Sequence, residues 1–177
     1  MTTPTAQDQV FLTRVLALAQ RSRNEGHHPF AAMVVKADGA VIAEAMNASS
    51  RDRTAHAEMN ALRLASRRHG PAELAGATLY ASAEPCAMCA GGTYWSGVGR
   101  VVYALSEASL LAMTGSDPEN PTLSLPCRDV FARGQRPTEV IGPLREDEAR
   151  AKRDSGTWLF QRRRPCFSLY RLGCATS

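Results

Sequence analysis

The chain has 177 residues, 44% of them hydrophobic, an ordinary globular content that suffices for one domain with a sizeable core and calls for no second. Its formal net charge of +4 is unevenly placed: residues 151–177 carry six Lys/Arg against one acid, whereas residues 1–150 carry fifteen against sixteen. A near-neutral body does not present the basic rim expected of a nucleic-acid enzyme.

The first expected element is an amphipathic helix over residues 5–24, built on Phe11, Val15 and Leu18 and stopped near Asn24 and Gly26. Its apolar run at residues 15–19 is short and follows Arg14, so neither a cleaved signal nor a membrane span is expected. Residues 30–36 and 40–45 are apolar runs joined by Ala37-Asp38-Gly39, a hairpin signal. An antiparallel pair therefore comes first. After it the pattern alternates: helix 56–68 with Thr54 as N-cap and Met59, Leu62 and Ala65 as its stripe, a loop with Gly70 and Pro71, strand 77–83, helix 86–96 and strand 100–104. Such alternation implies parallel strands joined by right-handed crossovers, with both helix N-termini at the carboxyl edge of the sheet, where ligands of open α/β sheets bind.

Beyond residue 104 a short helix is expected over 106–112, loop over 115–126, helix over 125–133, a brief edge strand over 139–141 and a polar helix over 146–154 with acids in its first turn. The domain is taken as residues 1–157, followed by a basic tail over 158–177 that has no clear period. Its Arg162-Arg163-Arg164 cluster reads as a solvated tail in preference to a phosphate-binding arm. The odd count of five cysteines, with no framework spacing for Cys127, Cys166 and Cys174, fits a reduced cytoplasm.

The chemistry lies in two pieces, Thr54-Ala55-His56-Ala57-Glu58-Met59-Asn60 and Glu84-Pro85-Cys86-Ala87-Met88-Cys89-Ala90-Gly91-Gly92. Cys86 and Cys89, at i and i+3, share one helix face, and Pro85 is suited to the first helical position. The positive end of that helix favours the thiolate. His56 and Glu58 lie about 200° apart around a helix, so they meet only at a helix end. A bare CxxC would fit a redox pair or a structural zinc knuckle. With an imidazole and a spare carboxylate thirty residues upstream, across a helix and a strand, the set reads as three zinc ligands (His56, Cys86, Cys89), an open position for water, and a proton carrier (Glu58). Gly91 and Gly92 cost a helix about 1 kcal/mol each relative to alanine, which points to close backbone packing.

On His56-Ala57-Glu58 and Glu84-Pro85-Cys86-Ala87-Met88-Cys89 the chain resembles the cytidine deaminase-like superfamily, and within it the nucleobase deaminases that include guanine and tRNA adenosine deaminases. The likeness covers residues 27–104. It implies an α/β fold, a three-layer α/β/α sandwich with a mixed five-stranded sheet, and a homodimer. It also implies zinc on His56, Cys86 and Cys89, proton transfer by Glu58, and charge stabilisation by the backbone N–H groups at Ala57 and Cys86. His56, where small cytidine deaminases use cysteine, and the two residues between Cys86 and Cys89 point away from the nucleoside and riboflavin-pathway branches. Trp95-Ser96-Gly97-Val98 is similar to guanine deaminases, whereas Ala104-Leu105-Ser106 departs from the Gly-Ala-acid run of the tRNA enzymes.

By the same resemblance Asn47 would hydrogen-bond the base, or else be a turn residue at a strand end. Phe30 would flank the base or be plain core, and Trp95 would stack on a ring or fill the interior. The expected activity is hydrolytic deamination of a small nucleobase, guanine to xanthine plus ammonia. The alternatives are a tRNA adenosine deaminase, a cytosine or nucleoside deaminase, and a zinc module without activity. Nucleic acid is not the favoured partner, and no membrane association is expected.

Overall fold

A computed structural model describes residues 3–115 and 123–154. The basic tail expected over 158–177 lies outside the described residues, as does part of the loop expected over 115–126.

Helix α1 (Ala6–Asn24) opens with a capping box in which Thr5 and Asp8 each accept the other's backbone N–H. The hairpin follows as β1 (Ala31–Val35) and β2 (Val41–Met46), paired antiparallel. Then come α2 (Ala57–Ser66), a one-turn α3 (Pro71–Leu74), β3 (Thr78–Ala83), α4 (Ala87–Ser96) and β4 (Arg100–Leu105). The remainder is α5 (Glu107–Thr114), α6 (Cys127–Phe131), β5 (Glu139–Ile141) and α7 (Glu146–Asp154). Sheet order is β2-β1-β3-β4-β5; β1 is antiparallel to both neighbours, and β3, β4 and β5 run parallel. The sheet is thus mixed and five-stranded, with helices on both faces.

Side-chain alternation sorts the core into two layers. Ala32, Val34, Leu79, Ala81, Val101 and Tyr103 face a cluster supplied by α2, α4 and α6 through Ala61, Leu62, Ala90 and Phe131. Ala31, Met33, Val35, Tyr80, Val102 and Ala104 face the other way, onto Leu12, Val15 and Leu16 of α1 and Ala149 of α7. Every residue of β1 is buried, which explains why it reads as a continuous apolar run and not as an alternating strand.

Three local expectations are corrected. Thr54 does not cap α2: its backbone N–H and its hydroxyl both donate to Asp52 Oδ1 at 2.8 Å, and His56 takes the N-cap position. Pro85 lies one residue before the N-cap of α4, Cys86, and so outside the helix. The loop at Gly70 and Pro71 contains α3, because proline is pre-set for a first helical turn.

Gly92 is where α4 meets α2. A Cβ there would lie 2.4 Å from Met59 Sδ, whereas one on Gly91 meets nothing within 4 Å. Close packing therefore explains Gly92 and leaves Gly91 without a structural account.

At the amino edge of the parallel strands, Asp8 is fully buried and gathers the Tyr80 hydroxyl at 2.8 Å and a two-pronged Arg100 guanidinium at 2.7 and 2.8 Å. Arg100 Nε continues to Glu139 Oε2 at 2.7 Å. Burial by itself would raise the Asp8 carboxyl, but Arg100, the Thr5 N–H and Tyr80 outweigh it and hold the group well below the usual carboxylate range.

Two outcomes follow from this packing. Asp8→Asn removes one partner of a buried pair and is expected to cost about 3 kcal/mol in urea unfolding at neutral pH. Because the folded-state pKa is depressed, that stabilisation is present above the unfolded value of 3.8 and fades as pH falls below it, so the gap between wild type and variant narrows in acid. Gly91→Ala should gain up to about 1 kcal/mol, whereas Gly92→Ala should gain less, because it must also move the flexible end of Met59.

Candidate active site

Both β2 and β3 run antiparallel to the strand between them, so they point the same way and release α2 and α4 at the same edge. His56 is the N-cap of α2 and Cys86 the N-cap of α4; both backbones are extended, and neither side chain caps its helix. Those side chains turn to one another instead. Cys86 Sγ and Cys89 Sγ each lie 3.6 Å from His56 Nδ1, and the three donor atoms fall within 4.8 Å of one another.

The separation tests the fit to zinc. Bonds of about 2.3 Å to sulfur and 2.0–2.1 Å to nitrogen, at a tetrahedral angle, place the two donors about 3.6 Å apart. Among the described residues no fourth His, Cys, Asp or Glu joins the group, so these residues supply three ligands and leave one position for water. That excludes the closed four-ligand arrangement of a structural knuckle for the described residues.

Glu58 sits in the first turn of α2, 6% exposed, with Oε2 3.5 Å from Cys89 Sγ. Burial pushes its carboxyl up to about 7, with the negative Cys86 adding and its own backbone N–H and His56 opposing. The Cys89 thiol is the main cause holding Cys86 down to about 4, against burial and with help from His56. The Cys86 sulfur in turn raises His56. Two thiolates cancel the charge of a divalent ion, so the field that acidifies bound water must come partly from the two helix N-termini.

Asn47 and Phe30 lie at the same edge. The Asn47 N–H donates to the Phe30 carbonyl at 3.0 Å. Asn47 is 5% exposed, and its Oδ1 accepts from Ser49 N and Oγ at 2.9 and 2.7 Å. It is therefore a turn residue in fact, whatever else it does. Phe30 is half-buried against both core layers, with its ring parallel to that of His28 at 6.4 Å. Ala57, fully buried, is the first residue of α2.

Trp95 departs from expectation. It is 82% exposed, which overturns the interior alternative, and its only described ring contact is the edge of Tyr94. It stands six residues beyond Cys89, about 9 Å along α4.

Asn60 is a site residue to which the sequence reading gave no role. Its Nδ2 donates to Met46 O at 3.1 Å and Ala55 O at 3.2 Å. It thereby staples the end of β2 to the residue before His56 and fixes both ends of the loop that delivers the ligand. A carboxamide four residues after a ligand, on a helix, was the available signal.

Three ligands with an open position, beside a buried carboxyl at the edge of an α/β/α sheet, define a metal-dependent hydrolase. Residues 5–105 match the model of the cytidine and deoxycytidylate deaminase zinc-binding region. The chain belongs to that family, and it is a zinc-dependent hydrolytic deaminase. It is 38% identical over 144 residues to a probable cytosine deaminase of Schizosaccharomyces pombe, spanning 81% of this chain and 88% of the relative. It is 46% identical over 112 residues to the guanine deaminase of Bacillus subtilis, spanning 62% of this chain and 70% of that one. The solved guanine deaminase of Nitrosomonas europaea superposes with a TM-score of 0.66 at 29% identity, covering 86% of this chain and 84% of that one. tRNA adenosine deaminases are also among its relatives. No described helix is long and apolar enough to cross a membrane.

Cys86→Ala removes a ligand outright. Elemental analysis of the purified variant is expected to show substoichiometric zinc where wild type holds one ion per chain.

Proposed function

We propose that this deaminase acts on a free nucleobase, with guanine, converted to xanthine and ammonia, as its preferred substrate. The observation that carries the reading is the adjacency of Asn47 and Phe30 on the edge that holds the metal ligands, their backbones bonded at 3.0 Å. A planar amino-substituted ring needs an in-plane hydrogen-bonding group and an apolar flank. The Asn47 oxygen is committed to Ser49, so the amide nitrogen is the group offered to a base. The 46% identity to a guanine deaminase and the near-neutral body support a free base over a nucleic acid.

Zinc, when bound, lowers the pKa of its water to about 7. Glu58, whose own pKa of about 7 suits both giving and taking a proton, takes one from the water and passes it to a ring nitrogen. It then takes the second proton from the same oxygen and delivers it to the departing amine. The water oxygen stays on the ring carbon and ammonia leaves. The backbone N–H groups at Ala57 and Cys86, at the two helix starts, steady charge on the ring as it develops. The reading also carries a homodimer in a reducing cytoplasm, where the free thiols of Cys86, Cys89 and Cys127 persist.

An ammonia-release screen of the zinc enzyme over guanine, cytosine, adenine and their nucleosides, alongside inosine formation in a tRNA stem-loop, tests the substrate. Guanine is expected to give the highest kcat/KM; a higher value for cytosine or for the RNA overturns the choice. Glu58→Gln is expected to keep its zinc and lose at least about 100-fold in kcat, and retained turnover would remove Glu58 from the mechanism.

A further inference from the structure

The sequence reading gave Glu84 no task, yet it is a carboxylate buried to 8% exposure, two residues before a metal ligand. Its backbone N–H donates to Leu105 O at 2.7 Å, tying the end of β3 to the end of β4. Its side chain reaches two further elements. Oε2 accepts the N–H of Glu107, the first residue of α5, and Oε1 accepts the N–H of Cys127, the first residue of α6, each at 3.0 Å. One carboxylate thus satisfies an orphan N–H at each of two helix starts, in the charge-assisted form that is the stronger kind of hydrogen bond. Between this clamp and Cys86 stands only Pro85, whose ring fixes φ. The chain has little freedom with which to misplace the Cys86 sulfur while the clamp holds.

We infer that Glu84 is a positioning residue of the deamination centre, holding the turn that presents Cys86 in register with the first N–H groups of α5 and α6. It touches neither metal nor substrate on this reading. Its effect passes through the backbone to the ligand, as outer-shell partners act on metal sites generally.

The isosteric Glu84→Gln puts an amide nitrogen against one of the two N–H donors. It is expected to weaken zinc binding about tenfold or more, read by competition with a chromogenic chelator, and to shift the visible absorption of the cobalt-substituted protein. Asp8→Asn supplies the control, since it removes an equally buried carboxylate at the opposite edge of the sheet. Its loss of stability should leave zinc affinity and cobalt spectrum as in wild type.

A second variant keeps Glu84 itself. Glu107→Pro deletes the N–H that Oε2 accepts together with the Glu107 side chain, and the position suits proline: it opens a helix, and Ser106 before it has φ −74° and ψ 153°. Compared with Glu107→Ala, which keeps that N–H, Glu107→Pro should bind zinc more weakly. The inference is overturned if Glu84→Gln binds zinc within about twofold of wild type with an unchanged cobalt spectrum, or is matched in both by Asp8→Asn. Should Glu84→Gln fail to fold, equal zinc affinity in Glu107→Pro and Glu107→Ala overturns it alone. These readouts do not involve substrate, so they stand apart from the choice of guanine.

Discussion

Two helix N-termini converge on one point, and the rest of the structure follows from that constraint. A helix start offers unpaired N–H groups and a partial positive charge, which stabilise thiolate sulfur. Here α2 contributes His56 and Glu58, and α4 contributes Cys86 and Cys89. The ligands are thirty residues apart in sequence and meet because β1 stands antiparallel between β2 and β3. Had β1 run parallel to either, one of the two helices would have left from the opposite edge.

The two edges of the sheet do different work. At the amino edge, Asp8, Tyr80, Arg100 and Glu139 lock α1 to β3, β4 and β5 through paired charges. At the carboxyl edge the polar groups converge on a position left for chemistry. Between the edges, the α2–α4 contact at Gly92 and Met59 sets how near the two helix starts can come. Rigidity at one end and a small residue in the middle thus serve the 3.6 Å spacing at the other. Asn60, stapling the loop before His56, and Glu84, clamping the turn before Cys86, are the polar counterparts of that packing.

Much of this was legible in the residues. The apolar periods placed α1, α2, α4 and the hairpin to within a few residues, and Glu139–Ile141 fell where the weak edge-strand pattern put it. The metal ligands were legible because thiols at i and i+3 beyond a proline, with an upstream imidazole and carboxylate, have few other uses. The caps were not. Thr54 has the composition of a cap, but Asp52 takes both its N–H and its hydroxyl. Residues that cap by composition lost to ligands that cap by position. For Trp95 the residues leave open a ring contact or an interior place, and the tertiary structure removes the interior one, since nothing local announces that this side chain lies on the outer side of α4.

The sequence by itself determined the elements, their order and the reactive groups, because periodicity, turn chemistry and donor type are properties of neighbours along the chain. Only the tertiary structure decided that β1 lies between β2 and β3, that the Nδ1 atom of His56 faces both sulfurs, and that Glu58, Asp8 and Glu84 are buried with the partners that set their behaviour. Those facts depend on which distant residues share a space. Burial and electrostatic environment have no signature in a single residue or its spacing, since the same glutamate is a solvated charge on a surface and a proton carrier or a clamp inside.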